Sequence, residues 1–127
     1  MPVNPKDILA IATDLSKHST EAADRSAVSR AYYCVYHQGL RTVKAKLPPA
    51  ELEKKYSKGC HQQLRQRLLD GKTADWLNVA DQVEWLREAR VSADYHLRTR
   101  ASAFDTKDVI RRARLALKAL EALLPDI

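Results

Sequence analysis

Glycine is scarce in this 127-residue chain, with three residues, and proline contributes five. So few turn formers leave too little material for the reversals of an all-β sandwich, and they exclude collagen-like and low-complexity chains. Aromatic residues make up only 6%. Apolar runs are short: Ile8–Ala12 falls far below the ~20 residues that cross a bilayer. The opening Met1-Pro2-Val3-Asn4-Pro5-Lys6-Asp7 lacks the charged leader, apolar core and small-residue cleavage site of a secretory signal. Cysteine is confined to Cys34 and Cys60, at no metal-ligand or redox spacing, so both read as free thiols in a reducing compartment. A cytoplasmic location is the expectation. The scattered glycines form no phosphate-binding loop. His18, Cys34, His37, Cys60, His61 and His96 show no recognised zinc spacing. Neither a metal nor a cofactor is expected. Cys60 and His61 are adjacent and so point to different sides of a helix; a Cys–His nucleophile pair would have to form in space.

What is present describes one folded domain over residues 1–127, with 45% hydrophobic and 30% charged residues. Lys and Arg exceed Asp and Glu by 22 − 16 = +6, which is compatible with an anionic partner such as nucleic acid. Helical signals cover almost the whole length. Asn4 before Pro5, with Asp7 in the first turn, predicts an N-cap and a first helix with Ile8, Ile11, Ala12 and Leu15 on one face. Ser19 or Thr20 opens a longer second helix that Pro48-Pro49 ends after about Lys46. Glu51–Lys58 is charged and reads as a short helix or a loop. A third helix follows from about Gly59 to Leu69, with Gly71 as its C-cap. Thr73–Asp75 starts a fourth that runs at least to Ala93. Asp105-Thr106-Lys107-Asp108 caps a fifth whose Val109, Ala113, Leu117, Leu120 and Leu124 form the buried side. The architecture expected is all-α, an antiparallel bundle of four to five helices.

One residue breaks the pattern. On a wheel at about 100° per residue, Val79, Val83, Leu86, Ala93 and Leu97 make an apolar stripe with Arg90 in its middle. A guanidinium stays charged, and burying it unpaired costs several kcal/mol in order of magnitude. Arg90 therefore pairs with Asp94 one turn on, snorkels to solvent, or lines a polar cleft that needs its charge. His96 lies about 120° away from Arg90 around an ideal helix. The two converge on one phosphate only if the helix bends or ends near Asp94–His96, or if a second copy of the chain completes the site. Otherwise His96 is a surface or capping residue. On the second helix Val28, Tyr32, Val35, Tyr36 and Val43 can face the core. Ser26, Ser29, Arg30, Tyr33, His37, Arg41 and Lys44 share a polar, cationic face. Such a face is either simply solvated or suited to phosphate contact with ring stacking on RNA.

The segment Ser29-Arg30-Ala31-Tyr32-Tyr33-Cys34-Val35-Tyr36-His37 resembles the S/D-R-A-Y-Y-x-x-F/Y-H stretch of HEPN domains. Arg90-Val91-Ser92-Ala93-Asp94-Tyr95-His96 is similar to their R-x-x-A-D-Y segment and satisfies their R-x(4–6)-H signature. The resemblance spans most of the chain. It implies a helical bundle that forms a homodimer and brings two Arg/His pairs into one cleft. It further implies a metal-independent endoribonuclease, a toxin paired with a nucleotidyltransferase-like antitoxin or a defence protein. Other members of the family bind a protein, a nucleotide or RNA without catalysis. On the catalytic reading His96 transfers protons, and the ribose 2′-hydroxyl is the nucleophile that leaves a 2′,3′-cyclic phosphate. Arg90 holds the phosphate oxygens, Asp94 orients Arg90, and Ser29, Arg30, Tyr33, His37 and Tyr95 support the cleft or the RNA. Val91 replaces a residue that is often polar in the family. Arg98 stands where a toxin subgroup carries a tyrosine, so any regulation through that tyrosine is not implied.

Overall fold

A computed structural model describes residues 3–18, 20–47, 59–98 and 103–124, with side chains from 105 onward in the last segment. The described residues form five helices and no strand: α1 (Pro5–Leu15), α2 (Glu21–Lys46), α3 (Cys60–Leu69), α4 (Ala74–Tyr95) and α5 (Ala103–Ala122). None is long and apolar enough to cross a membrane. Ser19, Pro48-Pro49 and the Glu51–Lys58 stretch lie outside the described residues.

Helix starts follow the side chains. Asn4 accepts from the backbone N–H groups of Lys6 and Asp7, and the Asp7 carboxylate accepts from the Asn4 N–H at 3.1 Å, a complete capping box ahead of Pro5. Thr20 caps α2 through Ala23, and Thr73 caps α4 through Trp76.

α2 is the central post. It packs against each of the other four helices, and its buried residues Ala27, Val28, Ala31, Tyr32, Cys34, Val35 and Val43 spread around much of its circumference. Ser29 and Tyr33 meet Asp94 and Arg90, while Arg25 reaches the end of α4, so α2 and α4 run antiparallel. Further along α2 the buried Gln38 donates to Thr42, whose hydroxyl donates to the Leu120 carbonyl of α5 at 3.3 Å. That pairs the C-terminal halves of α2 and α5, which therefore run in the same direction.

Four local expectations are corrected. In α1 the buried line is Pro5–Leu9–Ala12, which leaves Ile8 and Leu15 half-buried and Ile11 exposed. Gly71 is not a left-handed cap: Asp70 ends α3 in right-handed geometry, and the positive φ of 66° belongs to Lys72. Gly71 is required because a Cβ there would fall on the Trp76 ring. α5 begins at Ala103, so Asp105 lies in its first turn, Thr106 is buried, and Asp108 instead holds Arg111 and Arg112. Leu97 is exposed because α4 has already ended. The remaining core assignments on α4 and α5 hold, with Leu124 half-buried.

Candidate functional site

Arg90 takes the internal route. Its side chain is 14% exposed, and its Nε lies 2.9 Å from Asp94 Oδ2 one turn later. The contact is an ion pair rather than a directed hydrogen bond, since Nε–H finds no acceptor in line. Across the helix interface Nη2 donates to the Tyr33 hydroxyl at 3.1 Å. Ser29 Oγ donates to the same Asp94 oxygen at 3.3 Å. The guanidinium carbon also sits 5.4 Å from the Tyr33 ring centre and 5.5 Å from that of Tyr95. Ser29, Tyr33, Arg90, Asp94 and Tyr95 are thus brought together; the Arg90–Asp94 pair is one of the three routes open to Arg90 in the sequence, whereas helix spacing alone does not place Tyr95 against Arg90.

His96 is set by a residue the sequence analysis passed over. Arg25 Nη1 donates to the carbonyls of Ala93 (2.9 Å), Ser92 and His96 (both 3.3 Å), and Nη2 donates to that of Leu97. A guanidinium on the last carbonyls satisfies groups that the helix leaves open and complements its negative end. The chain leaves helical geometry at His96, with φ −94° and ψ 66°. Its side chain is exposed, and among the described residues no hydrogen bond or ring contact joins it to Arg90. One of the conditions for convergence, a helix that ends near Asp94–His96, is met; one chain alone does not bring the pair into contact. No sequence signal marks Arg25 beyond a local Glu21–Arg25 pair.

A ring cluster lies against Arg90. Tyr33 and Tyr36 from α2 pack on each other and on His37, which is exposed. His61 of α3 enters the same cluster, with its ring 5.0 Å from Tyr36, 5.3 Å from Tyr32 and 6.0 Å from Tyr33. Its Nδ1 lies 2.5 Å from the Tyr32 hydroxyl. Burial holds the Tyr32 hydroxyl protonated well beyond the usual phenol range, with Tyr36 and Tyr33 adding to the effect. Burial lowers the His61 imidazole, and Arg90 and Arg87 lower it further. Tyr36 is pushed up to about 12, first by burial and then by its hydrogen bond with Cys60. His61 belongs to the site, and its place next to Cys60 in a short helix gave no hint of that.

Charge around the cluster is nearly balanced. Arg87 makes two hydrogen bonds to Glu84, at 2.7 and 3.1 Å, and Arg65 of α3 approaches the same carboxylate at 3.8 Å. The Arg87 hydrogen bond holds the Glu84 carboxyl below its ordinary range. Three guanidiniums, those of Arg65, Arg87 and Arg90, are offset by the paired carboxylates of Glu84 and Asp94 and by Glu88, whose charge also acts on Arg87. Arg30 is exposed on the solvent side of α2, apart from these contacts. Among the described residues no three His, Cys, Asp or Glu side chains gather as a cation would need. No family model matches the chain, and no curated protein or solved structure is significantly similar to it.

Proposed function

We propose that this chain is a HEPN-like, metal-independent endoribonuclease that works as a homodimer. Arg90 carries the phosphate, Asp94, Ser29 and Tyr33 fix its orientation, and His96 is the proton-transfer group. The observation that carries this reading is the end of α4: Arg25 gathers its final carbonyls, and His96 leaves the helix with an exposed imidazole six residues beyond Arg90. An exposed imidazole suits proton exchange with a ribose 2′-hydroxyl, since histidine is the side chain that most often serves as a general acid or base. A second copy of the chain supplies the missing convergence by setting one subunit's His96 against the other's Arg90. Exposed Arg30 and His37 extend the surface along α2 for RNA. A nucleotidyltransferase-like antitoxin is the partner this reading implies.

A specific observation favours a second reading, a module that binds RNA or a protein without cutting. The Arg90 charge is already compensated by Asp94 within its own chain. The deciding experiment incubates purified protein with diverse RNAs in EDTA and maps the ends. The nuclease reading expects cleavage with 2′,3′-cyclic phosphate ends, lost in His96→Ala with folding intact. Uncut RNA, or equal cutting by His96→Ala, defeats it.

A further inference from the structure

Among the described residues, His61 is a histidine close enough to Arg90 to be acted on by its charge. Tyr33 is the neighbour they share: its ring centre lies 6.0 Å from that of His61, and its hydroxyl accepts the Arg90 hydrogen bond. Tyr32 fixes the state of the imidazole. The Tyr32 side chain is fully buried and its hydroxyl keeps its proton, so it must donate, and the acceptor within reach is His61 Nδ1. A ring nitrogen that accepts carries no proton, so the hydrogen of the neutral imidazole sits on Nε2. A second proton would set Nδ1–H against the tyrosine O–H. It would also add charge beside Arg87 and Arg90, the cations that act on the ring from α4. The other titratable neighbours are Tyr32, Tyr33 and Tyr36 on α2 and Cys60 on α3 itself. Burial pushes the Tyr32 and Tyr36 hydroxyls up, so both stay protonated beside the ring. His61 is therefore a fixed hydrogen-bond donor rather than a base.

From this juxtaposition we infer that His61, Arg87 and Arg90 form a binding site for a phosphodiester group, with His61 Nε2–H donating to a non-bridging oxygen and the two guanidiniums supplying charge. Taking RNA as the source of the phosphate rests on the ribonuclease reading; the site itself does not. It differs from the His96 assignment in chemistry, because a neutral N–H donor holds an anion without transferring a proton.

The test pairs nitrogen-detected NMR of the imidazoles with RNA binding. At pH 7 His61 should carry its proton on Nε2 only, and added inorganic phosphate should shift that resonance. The double variant Tyr32→Phe/His61→Ala removes the ring together with the hydroxyl that depends on it, so no buried donor is stranded. Provided that it melts as a folded protein, it should bind a short labelled single-stranded RNA about ten-fold more weakly than wild type. A proton on Nδ1, or unchanged RNA affinity in the folded double variant, overturns the site and leaves the nuclease reading standing. Phosphate shifting His61 while RNA is neither bound nor cut upholds the site and removes RNA as its ligand. Where the double variant does not fold, the phosphate titration of wild type decides: a shift at His61 supports the site and no shift overturns it.

Discussion

Arg90 and Arg112 are both guanidiniums laid against aromatic rings, on opposite flanks of α4. Arg112 of α5 is the closer, with its guanidinium 4.1 Å from the Trp85 ring centre, against 5.4 Å from Arg90 to Tyr33. By distance alone the Arg112 pair would rank first. Its side chain, however, is 45% exposed, and its carboxylate partner Asp108 lies one turn back on its own helix and is shared with Arg111. Arg90 is largely shielded, and its contacts cross from α4 to Ser29 and Tyr33 of α2, directly or through Asp94. Water and salt screen the first arrangement, whereas the second joins two helices in a poorer solvent. What separates them is whether removing the cation leaves buried groups without partners.

That difference sets the largest expected effect. Arg90→Ala removes the counter-ion of Asp94, leaving it the Ser29 hydroxyl alone, and takes the hydrogen-bond donor from the Tyr33 hydroxyl at the α2–α4 interface; it should cost about 2–3 kcal/mol, below the range for fully buried pairs because Asp94 is 29% exposed. Urea denaturation followed by circular dichroism measures it. A loss no larger than that of a surface substitution would place Arg90 in the same class as Arg112. Next comes Arg25→Ala. It opens the carbonyls at the end of α4 and should cost about 1–2 kcal/mol. It should also raise amide hydrogen exchange over Ser92–His96, while Arg90→Ala disturbs the centre of the α2–α4 contact.

The ring cluster adds a pH dependence near neutrality, whereas on the Trp85 side the Asp108 carboxyl, lowered by its hydrogen bonds from Arg111 and Arg112, responds only in acid. The folded protein holds His61 below its ordinary value, so between that lowered value and about 6.5 the unfolded chain binds the extra proton. Stability is thus full above about pH 6.5 and declines as the pH falls, at no more than about 1.4 kcal/mol per pH unit for one group. Glu84, also lowered, adds loss of the same sign only below its ordinary carboxyl range. Denaturation midpoints from pH 7.5 to 5.5 should fall in wild type and flatten in Tyr32→Phe/His61→Gln.

How much of this was legible in the sequence follows from the range of each interaction. Helix starts were readable because Asn4, Thr20 and Thr73 act on backbone within three residues. The misplacement of Arg90 in an apolar stripe was equally plain, and so was Asp94, which lies one turn away. Leu97 and Ile11 were misread because a wheel assumes an endless helix and gives no weight to which flank meets a neighbour. Arg25 and His61 were invisible for a stronger reason: their partners stand 68 residues away at Ala93 and 29 residues away at Tyr32. Only the docking of α2 on α3 and α4 brings them into contact.

The smallest effect falls on the Trp85 side, where stability should barely respond. Arg112→Ala removes a cation from a solvated ring and frees Asp108 to keep Arg111, so the melting temperature should change by less than about 2 °C. The local environment should respond more clearly. Trp76 is nearly buried and Trp85 is 37% exposed, so neutral acrylamide quenching reports mainly on Trp85. Removing the guanidinium that covers its ring should increase that quenching, with the folded state otherwise intact. Raised quenching without a change in melting would show a cation that covers a surface ring and holds nothing else. A melting loss comparable to that of Arg90→Ala would mean that α4 and α5 depend on this pair as α2 and α4 depend on theirs, and the contrast between the two flanks would disappear.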